Sequence, residues 1–159
     1  KTKNTNIIKK NVLVVGAGGS ARSIVYALNT MHAKIIIANR TPDKAKTLSH
    51  DLEVELKTHK FNEIQDLVPN VDMIINTSSL GMPGNDNLNL NLKEAKKNLY
   101  IYDLVYKPSQ TNLLKEAEIN NLNYQNGLAM LVHQAAESFR IWHGVYPEIT
   151  NELFEILKS

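Results

Sequence analysis

The sequence has no cysteine and no long apolar run, and each absence excludes a class of protein. Without cysteine, the chain cannot form a disulfide framework, a zinc–thiolate site or a thiol nucleophile. No apolar run approaches the roughly 18 residues that a membrane-spanning helix needs, and the basic start at residues 1–3 has no signal-peptide-like apolar stretch after it. A chain of this composition fits a reducing cytoplasm, so we expect a cytoplasmic protein.

The net charge gives no indication of a nucleic-acid or membrane partner, and the histidines give no indication of a metal site. With 18 basic and 16 acidic side chains the net charge is +2, too small to indicate a nucleic-acid or membrane partner. The five histidines are scattered and no two have metal-ligand spacing, so no metal site is predicted. The chain begins with Lys1 rather than methionine, which indicates either a processed start or a piece of a longer protein.

The 159 residues, 43% of them hydrophobic, suit one domain with a real core, and apolar runs alternate with helical patterns along them. Thr41 has the character of an N-cap, with Pro42 at the first helical position. The alternation predicts an α/β, Rossmann-like fold, a doubly wound parallel sheet with helices on both faces. The predicted strands are 12–15, 34–38, 53–58, 71–76, 99–104 and 123–125, and the predicted helices are 21–31, 42–52, 111–120, 128–142 and one from about 147.

A glycine-rich turn follows the first predicted strand. Gly16, Gly18 and Ala21 have the spacing of a turn that binds a dinucleotide pyrophosphate. Gly16 allows a sharp turn, Gly18 leaves the backbone N–H groups open to phosphate oxygens, and Ala21 lets the helix approach the strand. The helix start then faces the anion with its unpaired N–H groups. The alternative is an ordinary glycine turn between a strand and a helix.

The segment after the second predicted strand favours NADP over NAD. An NAD site would have Asp or Glu there to bind the ribose hydroxyls, whereas this chain has Asn39, Arg40 and Thr41, with Lys44 one helical turn further on. A guanidinium offers paired donors and a permanent charge to a 2′-phosphate. Read in isolation, Arg40 would be a solvated surface arginine.

Polar residues follow the predicted strands at the ends where a doubly wound sheet binds its ligand. We expect them to lie along one edge, although strand ends also need polar residues for purely structural reasons. They are Gly16, Asn39, Thr77, Tyr106 and Asn126.

Five segments, at residues 16–22, 39–41, 76–82, 102–108 and 126–136, resemble the cofactor half of shikimate dehydrogenase in their order and spacing. The resemblance covers nearly the whole chain. It implies NADPH-dependent reduction of 3-dehydroshikimate to shikimate, a step of aromatic amino-acid biosynthesis.

The resemblance also implies a role for each motif. The pyrophosphate would be held by Gly16, Ala17, Gly18, Gly19 and Ser20, and the adenosine phosphate by Asn39, Arg40, Thr41 and Lys44. The nicotinamide side would be lined by Thr77, the backbone of Leu104, Gly127 and Met130. Tyr106 and Gln134 would reach the substrate, although a glutamine on a helix is more often a polar residue on a solvated face.

The family's catalytic lysine, its aspartate partner and the serine pair that binds the substrate carboxylate belong to an N-terminal substrate domain. No stretch before Asn11 is long enough to supply them, so no catalytic residue is assigned. Asp103 and Lys107 could imitate an acid–base pair, but we interpret them as a structural strand-end acid and a solvated loop lysine. Residues 1–159 are therefore expected to form a single NADP-binding domain that binds NADPH without turnover and shares shikimate or 3-dehydroshikimate with the substrate domain.

Three alternatives stay open at this point. They are a quinate/shikimate dehydrogenase of broader range or NAD preference, another two-domain dehydrogenase such as a methylene-tetrahydrofolate dehydrogenase or a glutamyl-tRNA reductase, and a non-enzymatic NADP-binding module. Without a substrate domain, apolar surface would be exposed around Phe139, Trp142 and Phe154, and self-association, as in a homodimer, would follow from it.

Overall fold

A computed structural model describes residues 7–158, and a single parallel sheet organises them. The strands, in chain order, are β1 Asn11–Val15, β2 Lys34–Asn39, β3 Lys57–Lys60, β4 Met73–Asn76, β5 Tyr100–Asp103 and β6 Asn123–Gln125. Their order across the sheet is β3-β2-β1-β4-β5-β6, and every neighbouring pair is parallel. This order is that of a doubly wound dinucleotide-binding sheet, which confirms the predicted fold class.

Helices connect the strands and cover both faces of the sheet. They are α1 Gly19–Thr30, α2 Pro42–Leu52, α3 Ile64–Leu67, α4 Asn112–Ile119, α5 Leu128–His143 and α6 Asn151–Lys158. Two 3₁₀ turns, Phe61–Glu63 and Val68–Asn70, flank α3.

The continuous apolar run of β1 reflects burial on both faces. Val12 and Val14 pack with α1 and α2 residues such as Val25, whereas Leu13 and Val15 pack on the other face with α3 and α4 residues such as Leu113. All four β1 valine and leucine side chains are fully buried. A central parallel strand has no solvated face, so alternation between apolar and polar residues is not required.

The third strand was predicted in the wrong place. The predicted strand covers residues 53–58, but no strand begins at Glu53. This residue ends α2 in the left-handed conformation, with φ 52°, and its N–H donates to the carbonyl of His50. The strand begins only at Lys57. The helical turns over residues 61–70 were missed, since each is too short to produce a periodic pattern.

The end of the chain also differs from the prediction. The last helix begins at Asn151 rather than near residue 147, and the Thr150 hydroxyl accepts a hydrogen bond from the Leu153 N–H at its start. Trp142 and Phe139 are exposed, by 77% and 40%, as expected. Phe154 is half-buried instead, so the prediction of an exposed side chain there was wrong.

The connection from β4 to β5 contains no helix, and its Asn-rich stretch is extended rather than helical. Leu88, Leu90 and Leu92 alternate with exposed asparagines and are almost completely buried in the core. Because alternate side chains of an extended segment point in opposite directions, the leucines pack into the core while the asparagines face the solvent.

The start of α5 lies unusually close to the end of β5. A β-carbon on Gly127 would lie 1.9 Å from the carbonyl oxygen of Leu104, and the Gly127 N–H donates to the carbonyl of Val105 over 3.2 Å. The backbone of Gly127 has φ −76°, which any residue can adopt. Glycine is therefore needed there because a side chain would collide with Leu104, and not because of the backbone conformation.

We predict that Gly127→Ala destabilises the domain by about 1–3 kcal/mol, because either α5 or the segment after β5 must move to relieve the contact. Urea unfolding measures the loss. Gly19→Ala is the matched control, since no atom lies within 4 Å of its β-carbon position, and its stability should stay within about 0.5 kcal/mol of the parent chain. Equal stabilities for the two variants would contradict the prediction.

Candidate functional site

The glycine turn between β1 and α1 has the geometry of an open anion site. Gly16 has φ +105°, and its N–H donates to the carbonyl of Ala38 over 2.8 Å. A β-carbon on Gly16 would lie 3.0 Å from the Thr77 hydroxyl oxygen, whereas Gly18 and Gly19 face open space. Gly18 caps α1 without a side-chain hydrogen bond, so the first N–H groups of the helix are open to a ligand.

The turn lies where the strand order of the sheet reverses. The chain moves from β1 to β2 and β3 on one side, and then crosses to β4 on the other side of β1. Thr77, which follows β4, donates to the Val15 carbonyl through its N–H over 2.9 Å and through its hydroxyl over 2.8 Å. The crevice of a doubly wound sheet opens at such a reversal, and here Gly16 and Thr77 stand on its two sides.

A first cleft, of about 340 Å³, extends from the glycine turn along α1 and α2. Lys44 lines it, and its side chain has no hydrogen bond or ion pair within residues 7–158. Its full lining is Ala17, Gly18, Gly19, Arg22, Lys44, Thr47 and Leu48. The cleft therefore joins open backbone N–H groups to cationic side chains, a combination that suits phosphate groups.

The remaining residues predicted for the adenosine phosphate lie at the end of β2. The Asn39 amide donates to the Thr41 carbonyl over 2.8 Å, which holds the turn before α2. Arg40 and Thr41 are exposed and line neither the first cleft nor any other described cleft. Within residues 7–158, the Arg40 guanidinium has no acidic partner.

Sequence reasoning missed Arg22 as a residue of this cleft. Its guanidinium donates to the Asp51 carboxylate over 2.5 Å and thereby ties α1 to α2. The hydrogen bond with Arg22 holds the pKa of Asp51 below its usual value. Arg22 directly follows the glycine motif in the sequence, and this position was the available signal.

A second cleft, of about 550 Å³, lies on the other side of the glycine turn. It brings together the residues predicted for the nicotinamide and substrate sides, although their segments are far apart in the sequence. Met130 and Gln134 reach it from successive turns of α5, and Tyr106, which is 44% exposed, from the loop after β5. The other residues lining it are Ser20, Thr77, Ser78, Ser79, Met82, Pro83, Leu104, Val105, Lys107 and Leu131.

Two glycines that were predicted as site residues lie behind the second cleft, and one residue that was interpreted as a solvated loop lysine lines it. Gly16 and Gly127 are buried and lie beneath Thr77 and against Leu104, respectively. Lys107 is exposed, as the interpretation of a loop lysine requires, but it also contributes to the lining.

Beneath this cleft lies a buried polar cluster of Asn76, Asp103 and Thr111, which the half-buried Ser78 extends to the cleft lining. Asp103 is completely buried and accepts three hydrogen bonds, from the Asn76 amide at 2.9 Å, the Val105 N–H at 3.1 Å and the Thr111 hydroxyl at 2.6 Å. Burial raises the pKa of Asp103, and these three hydrogen bonds offset part of that effect. The interpretation of Asp103 as a structural acid agrees with these hydrogen bonds, which engage both of its carboxylate oxygens.

Residues 7–158 contain neither a membrane-spanning helix nor a group of metal ligands. No helix among them combines the length and apolar character that spanning a bilayer requires. No three histidine, aspartate or glutamate side chains among them are grouped as metal ligands.

Comparison with known proteins gives the chain a family. The family model described as Shikimate / quinate 5-dehydrogenase matches residues 1–123, and the one described as Shikimate 5'-dehydrogenase C-terminal domain matches residues 127–150. A shikimate dehydrogenase (NADP(+)) from Pyrococcus abyssi is 39% identical over 145 residues, which are 91% of this chain and 53% of the relative.

Solved structures agree with these sequence matches. The crystal structure of shikimate dehydrogenase from Aquifex aeolicus matches with a TM-score of 0.80 and 34% identity, over 91% of this chain and 52% of that one. A crystal structure of a shikimate dehydrogenase in complex with NADP+ matches with a TM-score of 0.78 and 34% identity, over 96% and 53% of the two chains. The chain thus spans about half the length of these relatives, and it belongs to the shikimate / quinate 5-dehydrogenase family.

Proposed function

We propose that this chain is the NADP(H)-binding half of a shikimate dehydrogenase, which reversibly reduces 3-dehydroshikimate to shikimate. The observation that carries the proposal is the open glycine turn at the strand-order reversal, with a cationic cleft on one side and a mixed polar and apolar cleft on the other. A dinucleotide has this shape, a charged adenosine phosphate end and a flat nicotinamide end joined by a pyrophosphate. Relatives named as NADP(+)-dependent shikimate dehydrogenases support the assignment.

The adenosine end would lie over the first cleft and the end of β2. Lys44, together with the exposed Arg40, can neutralise a 2′-phosphate, and Asn39 and Thr41 shape the turn that holds them. No acidic residue directly follows β2, so this end has no acceptor pair for the ribose hydroxyls that NAD would present.

The nicotinamide end would lie in the second cleft, against Thr77, Leu104 and Met130. When bound, NADPH supplies the hydride for the carbonyl carbon of the substrate. The protein's contribution is to orient the ring and to exclude water around it. Tyr106 and Gln134, which open into the same cleft, can then position the hydroxylated substrate by hydrogen bonding.

The groups that transfer the proton and bind the substrate carboxylate would belong to the portion of the relatives that this chain does not span. That portion has an obvious place to pack. Residues of α5 and of the segment after it expose a broad apolar surface, with Trp142, Ile141 and Val145 exposed by 77%, 67% and 61%. An isolated domain with such a surface is prone to self-association, and a homodimer is the form we propose for it.

The family description includes quinate as well as shikimate, so a quinate/shikimate dehydrogenase is the second candidate. The match to this family argues against a methylene-tetrahydrofolate dehydrogenase and a glutamyl-tRNA reductase. The position of Tyr106 and Gln134 in the second cleft argues against a non-enzymatic NADP-binding module. A cytoplasmic location stays a prediction from the composition.

Gly18→Ala tests the pyrophosphate site. Gly18 has φ −94° and its β-carbon position is empty to 4 Å, so alanine should not change the free energy of unfolding by more than about 0.5 kcal/mol. The added methyl group would occupy the space of a phosphate oxygen, and we expect calorimetric affinity for NADP+ to fall at least about tenfold. Unchanged NADP+ affinity would remove the glycine turn from the site.

Arg40→Ala tests the discrimination between the two coenzymes. Loss of a charge-assisted hydrogen bond to the 2′-phosphate should weaken NADP+ binding by roughly tenfold to a hundredfold, while NAD+ binding changes little. Arg140→Ala is the matched control, because Arg140 is an exposed arginine on α5 that pairs with Glu137. Equal losses for NADP+ and NAD+ would show that Arg40 does not read the extra phosphate.

The isolated 159-residue chain is expected to bind NADPH and yet to show no shikimate-dependent reduction of NADP+. Binding is followed by the change in nicotinamide fluorescence, and turnover by absorbance of the reduced coenzyme. Binding without turnover agrees with the proposal, whereas measurable turnover would place the proton-transfer group within this chain.

A further inference from the structure

We propose that the buried polar cluster of Asn76, Asp103 and Thr111, extended by the half-buried Ser78, positions the nicotinamide half of the coenzyme. It would do so by fixing the two loops that form one wall of the second cleft. This inference rests on the proposed function, because it presumes that the nicotinamide end of the dinucleotide enters that cleft.

Asp103 is the point at which three separate chain segments meet. Its Oδ1 accepts hydrogen bonds from the Asn76 amide, at the end of β4, and from the Val105 N–H, in the loop after β5. Its Oδ2 accepts a hydrogen bond of 2.6 Å from Thr111 at the start of α4. One carboxylate therefore ties the two loops to each other and to a helix of the core.

The cluster extends from Asp103 into the loop after β4. The Asn76 amide also donates to the Leu80 carbonyl over 3.0 Å, and its Oδ1 accepts from both the hydroxyl and the N–H of Ser78, at 2.6 and 3.1 Å. Thr77, Ser78 and Ser79 of this loop line the second cleft, as do Leu104, Val105 and Tyr106 of the other. The orientation of both wall segments is thus set from beneath.

A carboxylate at the position of Asp103 does more than fill volume in the core. A completely buried carboxylate loses its hydration, and an apolar side chain would fill the same volume without that loss. Such a side chain would leave Asn76, Val105 and Thr111 without a common acceptor, and the two loops would no longer be tied together. The three donors occupy three of the roughly four lone-pair sites of a carboxylate, and together they fix the geometry of the loops.

No member of the cluster lines the first cleft, which is formed by the glycine turn, α1 and α2. Loosening the cluster should therefore disturb only the nicotinamide end. The test compares NADP+ with 2′,5′-ADP, which has the adenosine phosphates but no nicotinamide, on the whole 159-residue chain.

Thr111→Val removes the hydroxyl while keeping the shape of the side chain. We expect its calorimetric affinity for NADP+ to fall about threefold to tenfold, with affinity for 2′,5′-ADP unchanged within about twofold. Thr111→Ser, which keeps the donor, should restore NADP+ binding. Asp103→Asn provides the same comparison at constant volume if Thr111→Val does not fold.

Val68→Ala is the control for lost stability alone, because Val68 is completely buried in the core and lines neither cleft. It should leave both affinities unchanged. A selective loss of NADP+ affinity in the cluster variants supports the inference, whereas equal losses for the two ligands, or no loss in a folded variant, would overturn it. Failure of the parent chain to bind either ligand would instead overturn the proposed function.

Discussion

The carbonyl of Val15 accepts two hydrogen bonds from Thr77, and the arrangement of the site depends on this contact. It joins the ends of β1 and β4 at the place where the strand order reverses. Because Gly16 has no side chain, its backbone can lie directly under Thr77. The start of α1 and the loop after β4 consequently border one crevice, and the two clefts open on either side of it.

The two clefts differ in how the structure holds them. The first is built from regular elements, the start of α1 and one side of α2, and Arg22 and Asp51 tie these helices together. The second is bordered by α5 and by two loops, and a set of buried and half-buried hydrogen bonds supports these loops from below. Rigid placement suits both proposed tasks, because a phosphate needs fixed donors and a hydride transfer needs a fixed ring.

Local patterns were sufficient to predict the fold and the edge of the sheet on which the clefts lie. The spacing of Gly16, Gly18 and Ala21 and the apolar run of β1 each indicate one structure, and parallel strands then bring residues such as Thr77 and Tyr106 to the same edge. The third strand was misplaced because its short segment is mostly exposed, so it has no apolar pattern of its own.

Other features required the tertiary structure. Asp103 and Asn76 are 27 positions apart, and Arg22 and Asp51 are 29 apart. No periodicity connects such residues. The close approach of Gly127 to Leu104 likewise depends on how α5 meets β5, and not on any turn motif that the sequence displays.

Mapping of backbone amide chemical shifts during titration with NADP+ tests the central claim most directly, namely that the dinucleotide binds across the strand-order reversal. The account predicts the largest changes at the amides of Gly18 and Gly19, with further changes at Arg40 and at Leu104 and Met130. Changes concentrated at another part of the surface, such as the polar groove between Gln65 and Asn112, would contradict it.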